Sequence, residues 1–283
     1  MSDWQRWKGI MKCVAFEEGR LAKWSPPYIV QPKLDGDRCV NQPAPTFSLL
    51  LTSEENIFFS VPHINEALDK TGLCNLPLDG ELYSHDLNLE GGHELIHSIV
   101  SRTVNLHPRY KEMEYWIFDL KDKQKSQLER ICELNKLSSL PSCIKVVPYW
   151  ICDTLDDIKR VYDKLINDQF EGIIVRNLSN IYQEKRSTLM MKFKPKRKDV
   201  YKIVGWKEEV SADGIPKGRI GSLIMSSQTG DEFAVSAGLD FDEKERLWKV
   251  RDQLSGLSAT VHYQHLTNKQ IPKGTFNVEV HYE

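Results

Sequence analysis

Hydrophobic and polar positions change their rhythm near residue 196. Before that point, apolar runs of strand type at 28–30, 115–118 and 172–175 alternate with stretches of helical period. The clearest helix is 155–167, where Leu155, Ile158, Val161, Tyr162 and Leu165 fall at i, i+3, i+6, i+7 and i+10 and line one face. A second helix is predicted over 127–137. Strands and helices mixed in this way, with Pro and Gly at the turns, predict an α+β unit.

After Asp199 the helical signal thins. Short β-like runs follow at 201–206, 221–226, 232–235, 259–263 and 276–282, separated by turn-rich segments such as Ala212-Asp213-Gly214. One helical stretch, 242–254, lies among them. Five strands and a helix suggest a small all-β barrel of the oligonucleotide-binding class (OB-fold), although a sandwich fragment would show the same count. Two domains are expected, 1–197 and 198–283.

Composition narrows the class. Of 283 residues, 40% are hydrophobic and 28% charged, a globular balance. No apolar run approaches the ~20 residues that span a bilayer, and residues 1–8 show no signal-peptide character. Six cysteines are scattered without a C-x-x-C pair, which argues against a zinc ribbon or a disulfide framework and fits a reducing, cytoplasmic setting. The formal net charge is −2, so a polyanion site has to come from local clustering. One cluster stands out: Lys192, Lys194, Lys196, Arg197, Lys198 and Lys202.

The candidate chemistry begins at Lys33-Leu34-Asp35-Gly36-Asp37-Arg38, after the strand at 28–30. A lysine at a strand end before an Asp-Gly turn can project into a pocket, and it becomes a nucleophile once burial or neighbouring cations lower its pKa. By itself the segment reads more readily as a solvated surface turn. Four further segments change the picture. Leu78-Asp79-Gly80-Glu81-Leu82 sets an acid in a strand-turn context, and Tyr115-Trp116-Ile117-Phe118-Asp119 is an aromatic strand ending in an acid. Glu171 opens the apolar strand at 172–175, which leads to Arg176. In Met191-Lys192-Phe193-Lys194-Pro195, period two puts Lys192 and Lys194 on one face of a strand.

In this order and spacing the segments resemble the motifs of ATP-dependent DNA ligases, within the covalent nucleotidyltransferase superfamily that includes RNA ligases and capping enzymes. The resemblance covers about residues 15–265. It implies an adenylation domain followed by an OB-fold domain. It also implies sealing of nicked double-stranded DNA by a monomer, with ATP and Mg2+ (or Mn2+), in DNA repair, replication or recombination. Under it, Lys33 would take AMP as a phosphoramidate and Arg38 would contact the ribose or the nick. Glu81 would hold the ribose, Phe118 would stack on adenine, and Gln31 and Val30 would read the adenine edge. Glu171, with Asp119, would ligate the metal. Lys192 and Lys194 would neutralise the α-phosphate, while Arg38, Arg176, Lys196, Arg197 and Lys198 would hold DNA. An RNA ligase or a GTP-using capping enzyme is the alternative within the superfamily.

Two departures from the pattern stand out. Thr52-Ser53-Glu54-Glu55-Asn56 occupies the place of an expected Ser-Arg pair. The C-terminal arginine-rich motif is replaced by a segment that offers Lys269 and Lys273. A competing pattern is His93-Glu94-Leu95-Ile96-His97, the H-E-x-x-H signature of zinc proteases. Thr103 stands where the extended motif has its third histidine, so the pattern carries little weight beside five matched segments. A nucleic-acid-binding module that keeps the fold without the reaction is the non-enzymatic alternative.

Overall fold

The computed structural model describes residues 9–43, 47–267 and 269–282. The signal-peptide expectation, which rests on residues 1–8, lies outside them. The chain divides between Phe193 and Lys194 into two compact units.

Among the described residues the first unit holds ten strands: β1 (Lys12–Ala15), β2 (Tyr28–Lys33), β3 (Asp37–Gln42), β4 (Leu49–Leu51), β5 (Leu78–Tyr83), β6 (Glu114–Leu120), β7 (Ile144–Val146), β8 (Trp150–Cys152), β9 (Gly172–Asn177) and β10 (Arg186–Phe193). They form two five-stranded sheets, ordered β1-β10-β9-β2-β8 and β4-β3-β5-β6-β7. Only the edge pairs β1/β10 and β6/β7 run parallel. The helices are α1 (Glu18–Leu21), α2 (Pro62–Thr71), α3 (His85–Val100), α4 (Gln127–Leu134) and α5 (Leu155–Asn167).

Local chemistry accounts for the elements that frame the site. β2 lies between β9 and β8, so its run from Tyr28 to Val30 is buried. β8 pairs only with Tyr28, Ile29 and Val30, so Pro32, which has no N–H to donate, falls where β2 has a partner on one side only. A Thr154/Asp157 capping box opens α5, which turns Ile158 and Leu165 into a core shared with Val30, Ile173, Val175 and Met191. α4 stops at Leu134, short of the expected 137: the N–H groups of Lys136 and Leu137 donate three residues back, to Glu133 and Leu134, in place of the four-residue α-helical pattern. Asp79-Gly80 is not a turn: both residues lie within β5, at the point where its register with β6 shifts. A Cβ at position 80 would sit 2.5 Å from the Trp116 carbonyl oxygen, so this glycine serves close strand approach.

Polar bridges join the two sheets. Arg176 on β9 donates to Asp119 on β6 at 2.9 Å, and Gln31 on β2 donates to the Phe118 carbonyl at 3.4 Å. Asp119 also takes a 2.7 Å bond from Arg130, and all three charged side chains are buried. Ions withdrawn from water in this way have to be paired and hydrogen-bonded.

The second unit contains β11 (Arg197–Val210), β12 (Pro216–Ser226), β13 (Glu232–Val235), α6 (Phe241–Lys249), β14 (Ser258–Tyr263), β15 (His265–Leu266), β16 (Pro272–Lys273) and β17 (Asn277–His281). Five of its strands form one antiparallel sheet ordered β13-β12-β11-β14-β17, with α6 between the third and fourth strands in chain order. This is the Greek-key order of a partly open OB-fold. The helix expected at 242–254 appears as α6. One detail of the expected barrel is corrected: among the described residues no pairing of β13 with β17 closes the sheet. Tyr201, Ile203, Leu223, Met225, Leu247 and Val261 build its core.

Candidate active site

The site grows from the end of β2. Side chains alternate along a strand, so Val30 turns into the core while Gln31 and Lys33 face the opposite way. Beyond Lys33, residues 34–36 turn the chain into β3. Gly36 is required at this turn, since a Cβ there would lie 2.3 Å from the Leu82 carbonyl oxygen. Its N–H donates to Glu81 at 2.8 Å, which ties the turn to β5.

These elements wall a cavity of about 320 Å3 inside the first unit, a volume suited to a small-molecule ligand. Its lining includes Lys12, Lys33, Arg38, Arg176, Arg186 and Lys192. Glu81 is the carboxylate among the lining residues, and Phe118, Ile10, Ile174 and Met190 supply apolar wall.

At the Lys33 end, its Nζ donates to Glu171, which immediately precedes β9, and to the Leu34 carbonyl at 3.2 Å. Lys33 and Gly172 are register partners on neighbouring strands, which brings Glu171 to the amine. Burial pulls the Lys33 pKa down, but Glu171, Glu81 and Asp35 together outweigh it and hold the pKa above its ordinary value. Without nucleotide the amine is therefore an ammonium. Burial raises the Glu81 carboxyl despite the nearby Lys33, the Gly36 N–H and Arg38.

Arg38 donates from Nε to Asp79 at 2.6 Å and stands 4.6 Å over the Phe118 ring. Tyr182 donates to the same Asp79 at 2.6 Å. Arg176 lies 5.4 Å from the Phe118 ring centre. A base that stacks on Phe118 therefore competes with guanidinium groups already on the ring. Two polar atoms in the wall are buried without partners, the acceptor Gln31 Oε1 and the donor Arg176 Nε.

Of the expected site residues, the structure brings Lys33, Gln31, Arg38, Glu81, Phe118, Arg176 and Lys192 into the lining, with Glu171 on the Lys33 amine. The others are placed differently. Val30 is a core residue, on the wrong side of β2 to read a base edge. Asp119, expected as a metal ligand, is fully buried and holds Arg130 and Arg176. Arg176, expected on DNA, is 3% exposed and binds Asp119. Lys194 falls beyond the end of β10, belongs to the second unit and donates to Gln264 at 2.9 Å. Lys196, Arg197 and Lys198 are exposed at the start of β11. Sequence reasoning missed Lys12 and Arg186, which are register partners on the parallel pair β1/β10. No local pattern marks them, because a parallel pairing joins residues far apart in the chain.

A cavity walled by so many cations suits a nucleoside polyphosphate, and a lysine amine among them is the equipment of a nucleotidyltransferase. The family model described as the ATP dependent DNA ligase domain matches residues 11–194. The chain belongs to the ATP-dependent DNA ligase family, and its reaction is that of a DNA ligase, with ATP as nucleotide and DNA as substrate. It is 22% identical over 198 residues to a DNA ligase of Haemophilus influenzae, a match covering 69% of this chain and 68% of that one. A DNA ligase of Enterobacteria phage T4 is 27% identical over 115 residues, covering 41% of this chain and 23% of the phage protein. In fold, the chain is similar to a Lig E DNA ligase described as binding DNA with a minimal scaffold. That match has a TM-score of 0.80 and 20% identity, and covers 96% of this chain and 99% of the other. The ATP-dependent DNA ligase of bacteriophage T7, solved with ATP, matches at a TM-score of 0.55 and 15% identity, covering 97% and 99%. Among the described residues, no helix is long and apolar enough to cross a membrane.

Proposed function

We propose that this chain, as a monomer, seals nicks in duplex DNA through a Lys33–AMP intermediate. The observation that carries the reading is the pairing of Lys33 with Glu171 in a cavity lined by cations. Lys33 Nζ attacks the α-phosphorus of ATP, forming an N–P bond as the bond to the pyrophosphate oxygen breaks. The Lys33 ammonium gives up its proton to solvent before the attack, since only the free amine carries the lone pair that forms the N–P bond. AMP then passes to the 5′-phosphate at the nick, which frees Lys33. The 3′-hydroxyl attacks that phosphate, and AMP leaves as the phosphodiester forms. Lys12, Lys192 and Arg186 offset phosphate charge, work that needs placement more than covalent chemistry.

The base is held against Phe118 beside Ile174 and Met190. Gln31 Oε1, a buried acceptor with no partner, suits the exocyclic amine of adenine and would face the O6 acceptor of guanine unfavourably. Glu81 takes the ribose hydroxyls through its oxygen atoms. Glu171 suits Mg2+ or Mn2+, because a carboxylate beside phosphate oxygens is the donor set such hard cations use. When bound, the cation would neutralise charge on the phosphates. Lys198 and Lys202 alternate with exposed Val200 along β11, and together with Lys196 and Arg197 they form the surface proposed for the DNA backbone. The segment 195–200 is the proposed hinge by which the second unit, 198–283 in the proposed division, engages and releases DNA. Six free cysteines suit the reducing cytoplasm.

Incubation with Mg2+ and α-labelled ATP tests the covalent step. An acid-labile, base-stable label on Lys33, discharged by nicked duplex and absent from Lys33→Ala, is expected. A wild-type protein first stripped of AMP with pyrophosphate that then takes up no label contradicts the assignment.

A further inference from the structure

The H-E-x-x-H segment is not absorbed by the ligation chemistry, yet its histidines converge on one carboxylate. Gly92, at φ 63°, breaks α3 so that His93 opens its second half. One turn later His97 stacks on His93, with ring centres 5.6 Å apart. Both rings point at Asp37, the first residue of β3: His97 Nδ1 lies 2.9 Å from Oδ2, and His93 Nε2 lies 3.6 Å from Oδ1. One ligand atom from each of the three residues falls within a 4.8 Å cluster.

We propose that Asp37, His93 and His97 form a binding site for a borderline transition-metal cation, represented by Zn2+. Bonds of about 2.0–2.2 Å in a tetrahedral site set ligand atoms about 3.3 Å apart, between the two separations found here. Two imidazoles and one carboxylate favour Zn2+, Co2+ or Fe2+ over Mg2+, so the site is chemically distinct from the one proposed at Glu171. The third ligand of the segment is thus an aspartate from a neighbouring strand, where a zinc-protease reading would look for one downstream in sequence. His93, His97 and Asp37 are all partly open to solvent, which gives a cation access and leaves room for water in the remaining positions. Occupancy pins α3 to the residue beside Arg38, four positions after Lys33, so the site braces the nucleophile turn.

The full chain, stripped with EDTA, is titrated with Zn2+ by calorimetry near neutral pH and with Co2+ by visible absorption. The same is done for His93→Gln and His97→Gln. One Zn2+ equivalent is expected in the wild type, with affinity falling more than about tenfold in each variant as a ligand is lost. Co2+ ligand-field bands and a Zn2+-dependent rise in Tm should disappear in parallel. Mg2+-dependent self-adenylation, retained in both variants, verifies that they fold. No Zn2+ binding by the wild type, or equal binding by folded variants, overturns the proposal; the latter would place the cation elsewhere.

Discussion

Lys33 Nζ donates to Glu171, the residue just before the neighbouring strand β9, and that contact sets the resting state of the nucleophile. The carboxylates around Lys33 outweigh its burial, so its folded pKa lies above the usual 10.5. The sign follows directly. The ion pair adds stability that is full below the unfolded pKa and is lost as pH rises through the higher folded one. At neutral pH the amine is charged and unreactive until the nucleotide arrives. Glu171→Gln removes the largest of the raising influences. Lys33 in this variant should react faster with an acylating reagent near neutral pH, since a lower pKa leaves more free amine. Self-adenylation should fall, on the order of a hundredfold, with the carboxylate lost. Mass-spectrometric labelling of Lys33 across pH measures the first effect, and an unchanged profile would contradict the coupling.

Much of this site was legible because ligase-like segments place chemistry at strand ends, and strand ends are visible in apolar runs. Lys33, Glu81 and Lys192 line the cavity as the resemblance implied. What escaped depends on which face of a strand a residue takes and on which strand lies next to it. Val30 and Gln31 are neighbours in sequence, yet the pleat sends one to the core and the other to the cavity. Phe118 and Asp119 are neighbours too, but β6 bulges against β5 between Ile117 and Asp119; Phe118 lines the cavity, while the acid suited to a metal proves to be a buried clamp. Lys194 misses the cavity lining because β10 ends one residue earlier. The helix 155–167 was readable to the residue because its cap and its apolar stripe agree.

Asp119 offers a direct contrast between structural and metal-binding roles. Asp119→Asn leaves Arg130 and Arg176 buried without a counter-charge, a change that typically costs about 3–5 kcal/mol. For a unit of this size, that corresponds to a fall in Tm of roughly 10 °C. The Mg2+ concentration giving half-maximal adenylation should not move. Calorimetry and a Mg2+ titration on the same variant separate the two roles, and a shifted Mg2+ requirement at unchanged Tm would restore Asp119 as a ligand.

Asp79 anchors Arg38 from one side and accepts from Tyr182 on the other. Tyr182→Phe removes the hydrogen bond to Asp79 and the one the hydroxyl accepts from the buried Met11 N–H, and should cost about 1.5–3 kcal/mol, with Arg38 still held. Asp79→Asn should cost more, about 3–5 kcal/mol, and should also slow adenylation because Arg38 loses its anchor at the cavity wall. Urea denaturation ranks the two costs, and single-turnover adenylation shows whether only the second variant loses rate. Equal losses of rate would mean that Arg38 position is not set by Asp79.

The exposed charges at the start of β11 make a prediction about salt. Lys196, Arg197 and Lys198 lie outside the cavity lining, so replacing all three with alanine should leave self-adenylation near the wild-type rate. Each lysine or arginine that neutralises a DNA phosphate displaces counterions and adds about 0.9 to the slope of log K against log salt. If all three contact phosphates, the slope for nicked duplex should fall by about 2.7 in magnitude, and affinity should weaken most at low salt. The pleat adds an internal control. Lys198 and Lys202 share the outward face with Val200, whereas Arg197 follows the face that leads to buried Tyr201 and Ile203. Lys198→Ala should therefore lower the slope by close to a full contact, and Arg197→Ala by less. Fluorescence-anisotropy titrations over a range of salt concentrations give both slopes. A triple variant with the wild-type slope would remove this surface from the DNA path.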